Sequence, residues 1–275
     1  MKTTARSIAG LLMLLASAAA HSAITCSVSS GGFATAYDPA AAGANINATF
    51  FTVTCTKGAS GDPASVNYSV TVNNGLYAIG VNNRAAFGAN RIRYDVFTNS
   101  TCASAWKGAT AITGTVNTPS VGTFTATSNF WGCVPAAQAV AAGTYTDTVT
   151  MTMTYGASTA TGSFGVSIST PATCSVTGAP GNVVFNYVAF GSAITPSSTF
   201  GVTCTLSLPY TMALDATSGT IVGLNYTLAL SAPGSTGTGV QQTHSINGNM
   251  AAGQAGTCAL GSCSGSQARS VTISY

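Results

Sequence analysis

The feature that most restricts the fold of this chain is a duplication of cysteine-bearing motifs. The motif Thr-Cys-Ser-Val at 25–28 recurs at 173–176, and the motif Phe-x-Val-Thr-Cys-Thr at 51–56 recurs at 200–205. The two cysteines of the motifs are 29 residues apart in the first copy and 30 in the second. A repeat of about 150 residues has the size of a whole domain rather than of a solenoid unit. The sequence therefore predicts two tandem domains.

The N-terminus has the pattern of a secretory signal. Two basic residues precede an apolar run at 8–15, and small residues continue from there as far as Ala23. Such a segment is too short to span a membrane and is typical of a cleaved export signal. Cleavage sites fit after Ala20 and after Ala23, and either leaves Cys26 close to the mature N-terminus. We expect residues 1–23 to be removed and the mature protein to be exported.

Behind an export signal, the eight cysteines indicate disulfide bonds rather than metal sites or reactive thiols. Four cysteines lie in each copy, and four cysteines allow three pairings. The repeat favours pairing the cysteines of the two motifs in each copy, and the remaining two then pair by elimination. The predicted disulfides are Cys26 with Cys55, Cys102 with Cys133, Cys174 with Cys204, and Cys258 with Cys263.

The low charge of the chain argues against several functions. Charged residues make up 5% of the sequence, and the formal net charge of +3 falls by two when Lys2 and Arg6 leave with the signal. The mature surface therefore offers no basic patch for nucleic acid. The acidic residues show no paired spacing that a general acid and base would need. We expect neither an enzyme nor a metal, cofactor or nucleic-acid partner.

Apolar residues alternate with polar ones in both copies, which is the period of a β-strand. In the clearest run, 144–155, threonine occupies every even position. Further alternating runs lie at 51–55, 66–72, 92–96, 183–187, 210–214, 224–230 and 271–275. No segment has helical periodicity. We predict an all-β fold of two tandem immunoglobulin-like antiparallel β-sandwiches.

The two copies differ after their last common strand. Residues 149–155 correspond to 269–275, but only the first copy continues into a further alternating segment, at 162–170. One face of this segment carries three apolar side chains, Phe164, Val166 and Ile168. Their burial would contribute roughly 5–9 kcal/mol. We expect this donor strand to complete the first domain, whereas the second stays incomplete until another chain donates a strand. The alternative is a linker strand that pairs within either domain.

The motifs identify a resemblance. With Cys-Ser-Val near its start, Phe-x-Val-Thr-Cys-Thr, the motif at 91–97 followed by Trp106, and the Gly-x-Tyr-x-Asp-x-Val run at 143–155, the chain resembles the spore coat protein U domain family. This family includes the secreted Csu-type pilins of archaic chaperone–usher systems. The second copy departs from the pattern at 265–269, where Gly-Ser-Gln-Ala-Arg replaces Gly-x-Tyr-x-Asp.

The resemblance implies a pilus subunit at the cell surface, and two-domain members resemble tip adhesins that mediate attachment and biofilm formation. It implies a periplasmic chaperone, an outer-membrane usher, a neighbouring pilin that completes the C-terminal domain by donor strand exchange, and a host or abiotic surface as target. Because signal cleavage would leave no strand ahead of Cys26, we expect the subunit at the end of the fibre. The alternatives are a structural pilin or coat subunit without a ligand, and a secreted carbohydrate-binding module.

On this interpretation the chain divides into four parts. They are a signal peptide at 1–23, an N-terminal adhesin domain at 24–160, a linker and donor strand at 161–173, and a C-terminal pilin domain at 174–275.

Two turn-rich segments, 75–81 and 129–135, carry candidate adhesive residues, because exposed apolar patches usually mark contacts. The candidates are Leu76, Tyr77, Ile79, Phe130 and Trp131. The alternative is that Trp131 covers the neighbouring disulfide and that Leu76 lies in the core.

Overall fold

The computed structural model describes residues 24–258 and 262–275, and the predicted signal peptide lies outside them. The regular secondary structure of these residues consists of β-strands, with no helix, so the prediction of an all-β fold is confirmed. Within the described residues, no helix is long and apolar enough to cross a membrane.

Residues 24–170, which we call the front unit, form a ten-stranded β-sheet. Its strands are β1 (Thr25–Ser30), β2 (Phe33–Ala36), β3 (Asn45–Lys57), β4 (Ser65–Val72), β5 (Asn83–Phe87), β6 (Asn90–Phe97), β7 (Ile112–Asn117), β8 (Gly122–Val134), β9 (Gly143–Tyr155) and β10 (Ser158–Thr170). The pairing order is β1-β3-β8-β6-β5-β9-β10-β2, with β4 paired to both β9 and β7.

The strands of this sheet contribute side chains to one hydrophobic core in the front unit. Phe130 of β8 lies with its ring centroid 5.1 Å from that of Phe164 of β10 and 5.0 Å from that of Trp106. None of these three side chains is more than 2% exposed. Because large aromatic side chains dominate the burial of a core, β10 is an essential wall of the front unit.

Residues 174–275 form what we call the back unit. Its strands are β11 (Cys174–Gly178), β12 (Ser197–Cys204), β13 (Pro209–Leu214), β14 (Ser218–Ile221), β15 (Leu224–Leu230), β16 (Gly234–Thr236), β17 (Gln241–Asn249) and β18 (Val271–Ser274). They form one sheet in the order β11-β12-β17-β15-β14 and a second in the order β16-β13-β18. The back unit has its own hydrophobic core, which is separate from that of the front unit.

Each unit contains two disulfide bonds, and all four have the pairing that the repeat favours. They join Cys26 to Cys55, Cys102 to Cys133, Cys174 to Cys204, and Cys258 to Cys263. The first and third link directly opposed residues of β1 and β3 and of β11 and β12, so the duplicated motifs occupy the same register in both units.

Each unit also has, at equivalent positions, a close contact between an aromatic ring and a glycine. A Cβ on Gly132 would lie 2.7 Å from the ring of Phe33, and a Cβ on Gly248 would lie 2.5 Å from the ring of Phe185. Only glycine admits the ring in either place, and this contact therefore identifies residues 183–187 as the back unit's counterpart of β2.

The prediction of a strand at 183–187 is nevertheless wrong, since the described chain has no strand between β11 and β12. In the front unit, β2 is hydrogen-bonded in parallel to β10, with Phe33 opposite Val166. Among the residues the structure describes, the back unit has no counterpart of β10. Residues 183–187 therefore have no ladder partner, although their sequence alternates correctly.

Candidate functional site

The predicted donor strand is β10. It pairs with β9 in antiparallel register from Ser158 opposite Tyr155 to Thr170 opposite Gly143. The strand begins earlier than predicted, so the expected boundary at 160 falls inside it. The three side chains predicted to complete the front unit, those of Phe164, Val166 and Ile168, belong to its core and are at most 2% exposed.

A glycine allows β10 to lie against β1. A Cβ on Gly162 would come within 2.2 Å of the carbonyl oxygen of Val28, so no other residue fits without a shift of the backbone. The close approach covers Val28, which is 5% exposed.

The counterpart of β9 in the back unit is β18. Met151 of β9 lies opposite Val72 of β4, and Val271 of β18 lies opposite Leu214 of β13. The other edge of β9 pairs with β10, but no strand of the described chain pairs with the other edge of β18. An unpaired edge presents free backbone donors and acceptors to another chain.

A groove of about 580 Å³ lies where the chain enters β18, and Val271 at the start of this strand lines it. Its walls include residues 180–187 on one side and 263–269 with Val271 on the other. Its apolar lining comprises Leu214, Ile221, Leu224, Tyr226, Leu228, Ile246 and Met250. The walls are the segments whose front-unit counterparts, β2 and β9, hold β10 between them. We call this space the acceptor groove.

The exposure of equivalent residues differs as an open groove requires. Val28 and Val176 occupy the same place in the two duplicated motifs, opposite Val53 and Val202 respectively. Val28 is 5% exposed and Val176 is 53% exposed. The back unit therefore leaves Val176 in solvent, whereas β10 covers its counterpart Val28 in the front unit.

One end of the acceptor groove is polar. The hydroxyl of Tyr226 donates to Oε1 of Gln267 at 2.6 Å and accepts from Nε of Arg269 at 3.0 Å. Arg269 also donates through Nη2 to the carbonyl of Ser218 at 2.9 Å, and its Nη1 lies 3.8 Å from a carboxylate oxygen of Asp215. The pKa of Asp215 is lowered, first by the hydrogen bond from the backbone of Ser270 and also by Arg269.

The corresponding place in the front unit holds a buried carboxylate. Asp147 is 4% exposed, and its Oδ2 accepts from the hydroxyl of Tyr94 at 2.7 Å. Its Oδ1 accepts from the backbone N–H groups of Leu76 at 2.9 Å and Thr148 at 2.7 Å. Burial, and then the hydrogen bond to Asp147, raise the pKa of Tyr94. This network ties residues 73–82, which we call the apolar loop, to the core.

The apolar loop displays the first set of predicted adhesive residues to solvent. Leu76 is 68% exposed, Tyr77 is 37% exposed and Ile79 is 61% exposed. The alternative that Leu76 lies in the core is therefore wrong. Val81, which the sequence pattern did not single out, is 70% exposed. Because Ile79 and Asn82 exchange two backbone hydrogen bonds of 3.1 Å, the loop holds a defined turn.

Three cations that sequence reasoning missed hold the base of this loop. Nε of Arg84 donates to the backbone carbonyl of Tyr77 at 2.9 Å. The guanidinium carbon of Arg91 lies 4.8 Å from the centroid of the Tyr77 ring. Nζ of Lys107 donates to the carbonyl of Val81. Arg91 belongs to the motif at 91–97, but nothing in the sequence linked it, Arg84 or Lys107 to the apolar loop, because all three lie outside the loop in the sequence.

The second predicted adhesive segment, 129–135, is not a loop, because β8 continues to Val134. Phe130 is fully buried against Trp106 and Phe164, so its assignment as an adhesive side chain is wrong. Successive residues of a strand point to opposite faces, and Trp131 therefore leaves the core and is partly exposed opposite Ala48.

The fold and the acceptor groove together define a class of protein. It is a disulfide-bonded tandem of two related β-structures, in which the first contains its own completing strand and the second is open along one edge. The family model of the Spore Coat Protein U domain matches residues 12–152. The chain belongs to the Spore Coat Protein U domain family.

Comparison with solved structures finds similarity at low sequence identity, and the first of the following structures shares the fold. One is the complex of the chaperone CsuC with the tip adhesion subunit CsuE of the archaic chaperone–usher Csu pili of Acinetobacter baumannii, at 13% identity and a TM-score of 0.50, covering 91% of this chain and 100% of that one. The CupB6 tip adhesin of Pseudomonas aeruginosa matches at 11% identity and a TM-score of 0.39, covering 83% and 88%. The CooA pilin subunit of enterotoxigenic Escherichia coli matches at 15% identity and a TM-score of 0.36, covering 54% of this chain and 99% of that one. No curated protein matches the sequence.

Proposed function

We propose that this chain is a subunit of a chaperone–usher pilus and that its back unit accepts a β-strand from another chain. The observations that carry the proposal are the acceptor groove, bounded by residues 180–187 and by residues 263–269 with Val271, and the unpaired edge of β18 beside it. The front unit supports it, because β10 occupies the corresponding place there. Strand addition at an exposed sheet edge is a common mode of peptide recognition and is used in pilin assembly.

The partners follow from this proposal. A periplasmic chaperone would cover the acceptor groove after export, an outer-membrane usher would pass the subunit to the surface, and a neighbouring pilin would then fill the groove. Membership of the Spore Coat Protein U domain family and the fold shared with a subunit captured on its chaperone both support this sequence of partners. The protein would then be secreted through the periplasm and reside in a surface pilus.

The front unit is proposed to carry adhesion at the fibre tip. The apolar loop supports this role, because Leu76, Ile79 and Val81 are each more than half exposed on a turn fixed by hydrogen bonds. A rigid apolar tip can bind a host or abiotic surface without losing much conformational freedom, which favours attachment and biofilm formation.

Strand acceptance is tested by adding a peptide with the leading segment of a neighbouring pilin to residues 24–275. A ligand that binds only the folded state at 100 times its Kd stabilises by about 2.7 kcal/mol. We expect the thermal midpoint to rise by several degrees with this peptide and not with a scrambled one. An unchanged midpoint at saturating peptide would contradict strand acceptance.

Adhesion is tested with the double substitution Leu76→Ser and Ile79→Ser in a strain whose surface pili are counted. We expect normal pilus numbers and lost attachment, because the backbone anchors of the loop remain intact. The matched control is Val121→Ser, which changes an apolar residue of similar exposure outside the loop. Undiminished attachment of the double variant would remove the apolar loop from this role.

A further inference from the structure

The acceptor groove differs in chemistry from the space that β10 fills. Gln267 and Arg269 stand where the front unit has Asp147 and Val149, as the matching registers of β9 and β18 require. A Cβ on Gly219 would lie 2.4 Å from Oε1 of Gln267 and 2.5 Å from Nη2 of Arg269. Gly219 therefore leaves room for these two side chains to gather at the groove.

This end of the groove has more hydrogen-bond donors than acceptors. Glutamine carries two N–H donors and arginine carries five. In the part of the chain that the structure describes, Nε2 of Gln267 makes no hydrogen bond, and Nη1 of Arg269 has only the 3.8 Å contact with Asp215. The front unit has the opposite balance, because the carboxylate of Asp147 is an acceptor that neighbouring N–H and O–H groups already satisfy.

A strand in the groove would cover these donors. In the front unit, Val166 of β10 lies directly opposite Asp147 and covers a satisfied carboxylate. The equivalent residue of an incoming strand would lie opposite Gln267. An apolar side chain there would bury donors without acceptors, and such burial is more unfavourable than the loss of an apolar contact.

We propose that the acceptor groove selects a strand with a hydrogen-bond acceptor side chain, such as Asp or Asn, opposite Gln267. This inference rests on the proposed strand acceptance. The residue two before that position would lie opposite Arg269, as Phe164 lies opposite Val149 in the front unit. The residue two after it would lie opposite Gly265, as Ile168 lies opposite Tyr145. The partner is therefore an extended segment of another chain with an acceptor side chain opposite Gln267, and β10 of a second copy, which has Val166 at that position, is a poor match.

A second requirement fixes the register of the incoming strand. Gly162 of β10 lies opposite Met151, and its lack of a side chain admits the carbonyl of Val28. Val176 has the same place in β11 as Val28 has in β1. The incoming strand therefore needs a glycine opposite Val271, four residues before the acceptor.

Two peptides test the selection on the unsubstituted chain from residue 24. One has the sequence of residues 158–170, and the other carries Val166→Asp in that sequence. We expect the Val166→Asp peptide to bind at least about tenfold more tightly by fluorescence anisotropy, because its carboxylate satisfies the donors of Gln267 and Arg269. Adding Gly162→Val to the tighter peptide serves as the register control and should abolish its binding.

The outcomes separate this inference from the proposed function. Equal affinity of the two peptides, or tighter binding of the unsubstituted one, overturns the selection and leaves strand acceptance standing. Binding by neither peptide nor by a neighbouring pilin's leading segment overturns both. A protein variant with Arg269→Val should lose the preference for the Val166→Asp peptide. Because the main comparison uses the unsubstituted chain, it does not depend on the folding of that variant.

Discussion

At the scale of single residues, Asp147 links the core of the front unit to its apolar loop. The alternation of β9 predicts its burial, since Asp147 shares a face with Tyr145 and Val149. Its hydrogen-bond partners could not be predicted from the sequence, because Leu76 and Tyr94 lie 71 and 53 residues away along the chain. Burial of a carboxylate is unfavourable unless hydrogen bonds compensate for the lost water, so only the three-dimensional fold explains its presence.

Replacement of Asp147 with Ala should therefore destabilise the front unit. The change leaves the buried hydroxyl of Tyr94 and the N–H of Leu76 without their acceptor, and we expect a loss of about 2–4 kcal/mol. Urea denaturation followed by fluorescence measures it. The control is Asp38→Ala, which removes an exposed carboxylate and should change stability by less than about 1 kcal/mol. A loss for Asp147→Ala no larger than that of the control would show that the network is not structural.

The buried tyrosines predict a decline of stability in alkali. Burial raises the pKa values of Tyr37, Tyr94, Tyr145 and Tyr210, and Asp147 raises that of Tyr94 further. In the unfolded chain these phenols ionise near pH 10, whereas in the folded chain the raised pKa values shift their ionisation to higher pH. Their contribution is therefore complete below about pH 10 and is lost as the pH rises above it.

Denaturation curves at several pH values between 8 and 11 measure this decline. We expect Tyr94→Phe to be less stable than the unsubstituted protein at pH 8 but to lose less stability by pH 11. Parallel pH profiles for the two proteins would show that Tyr94 ionises as readily in the folded state as in the unfolded one.

At the scale of elements, β10 shows which features strand periodicity predicts and which it misses. The alternation of Phe164, Val166 and Ile168 predicts their common buried face. The pairing with β2 was not predictable, because the short segment at 33–36 lacks alternating apolar residues. Residues 183–187 show the converse, since correct alternation produces no strand where a hydrogen-bonding partner is missing. Strand formation depends on the neighbouring strand as well as on the local pattern.

Phe164→Ala tests the contribution of β10 to the front unit. The ring is 2% exposed and packs on Phe130, so its removal leaves a cavity and should cost about 3–5 kcal/mol. Phe190→Ala is the matched control, because that ring is 74% exposed and its loss should be nearly neutral. Thermal unfolding of both variants measures the difference. Similar midpoints for the two variants would place Phe164 outside the core.

At the scale of the whole molecule, the chain joins two related units, of which the front unit has ten strands and the back unit eight in the described residues. Within those residues, the back unit lacks strands that correspond to β2 and β10. The duplicated cysteine motifs made the tandem arrangement predictable, and the alternating segment after β9 indicated which copy is complete. The polar end of the acceptor groove was not predictable, because it brings Gly219, Gln267 and Arg269 together from separate elements. The front unit is completed by its own strand β10, whereas the back unit is open along one edge.

Native-state hydrogen exchange tests this claim most directly, since it compares equivalent segments in one molecule. Residues 33–36 and 149–155 pair with β10, whereas residues 183–187 line the acceptor groove and residues 269–275 include β18, whose other edge is unpaired. We predict that the two front segments exchange at least about tenfold more slowly than their back-unit counterparts, and that a bound strand slows the back pair. Equal protection of both pairs in the free protein would contradict the account.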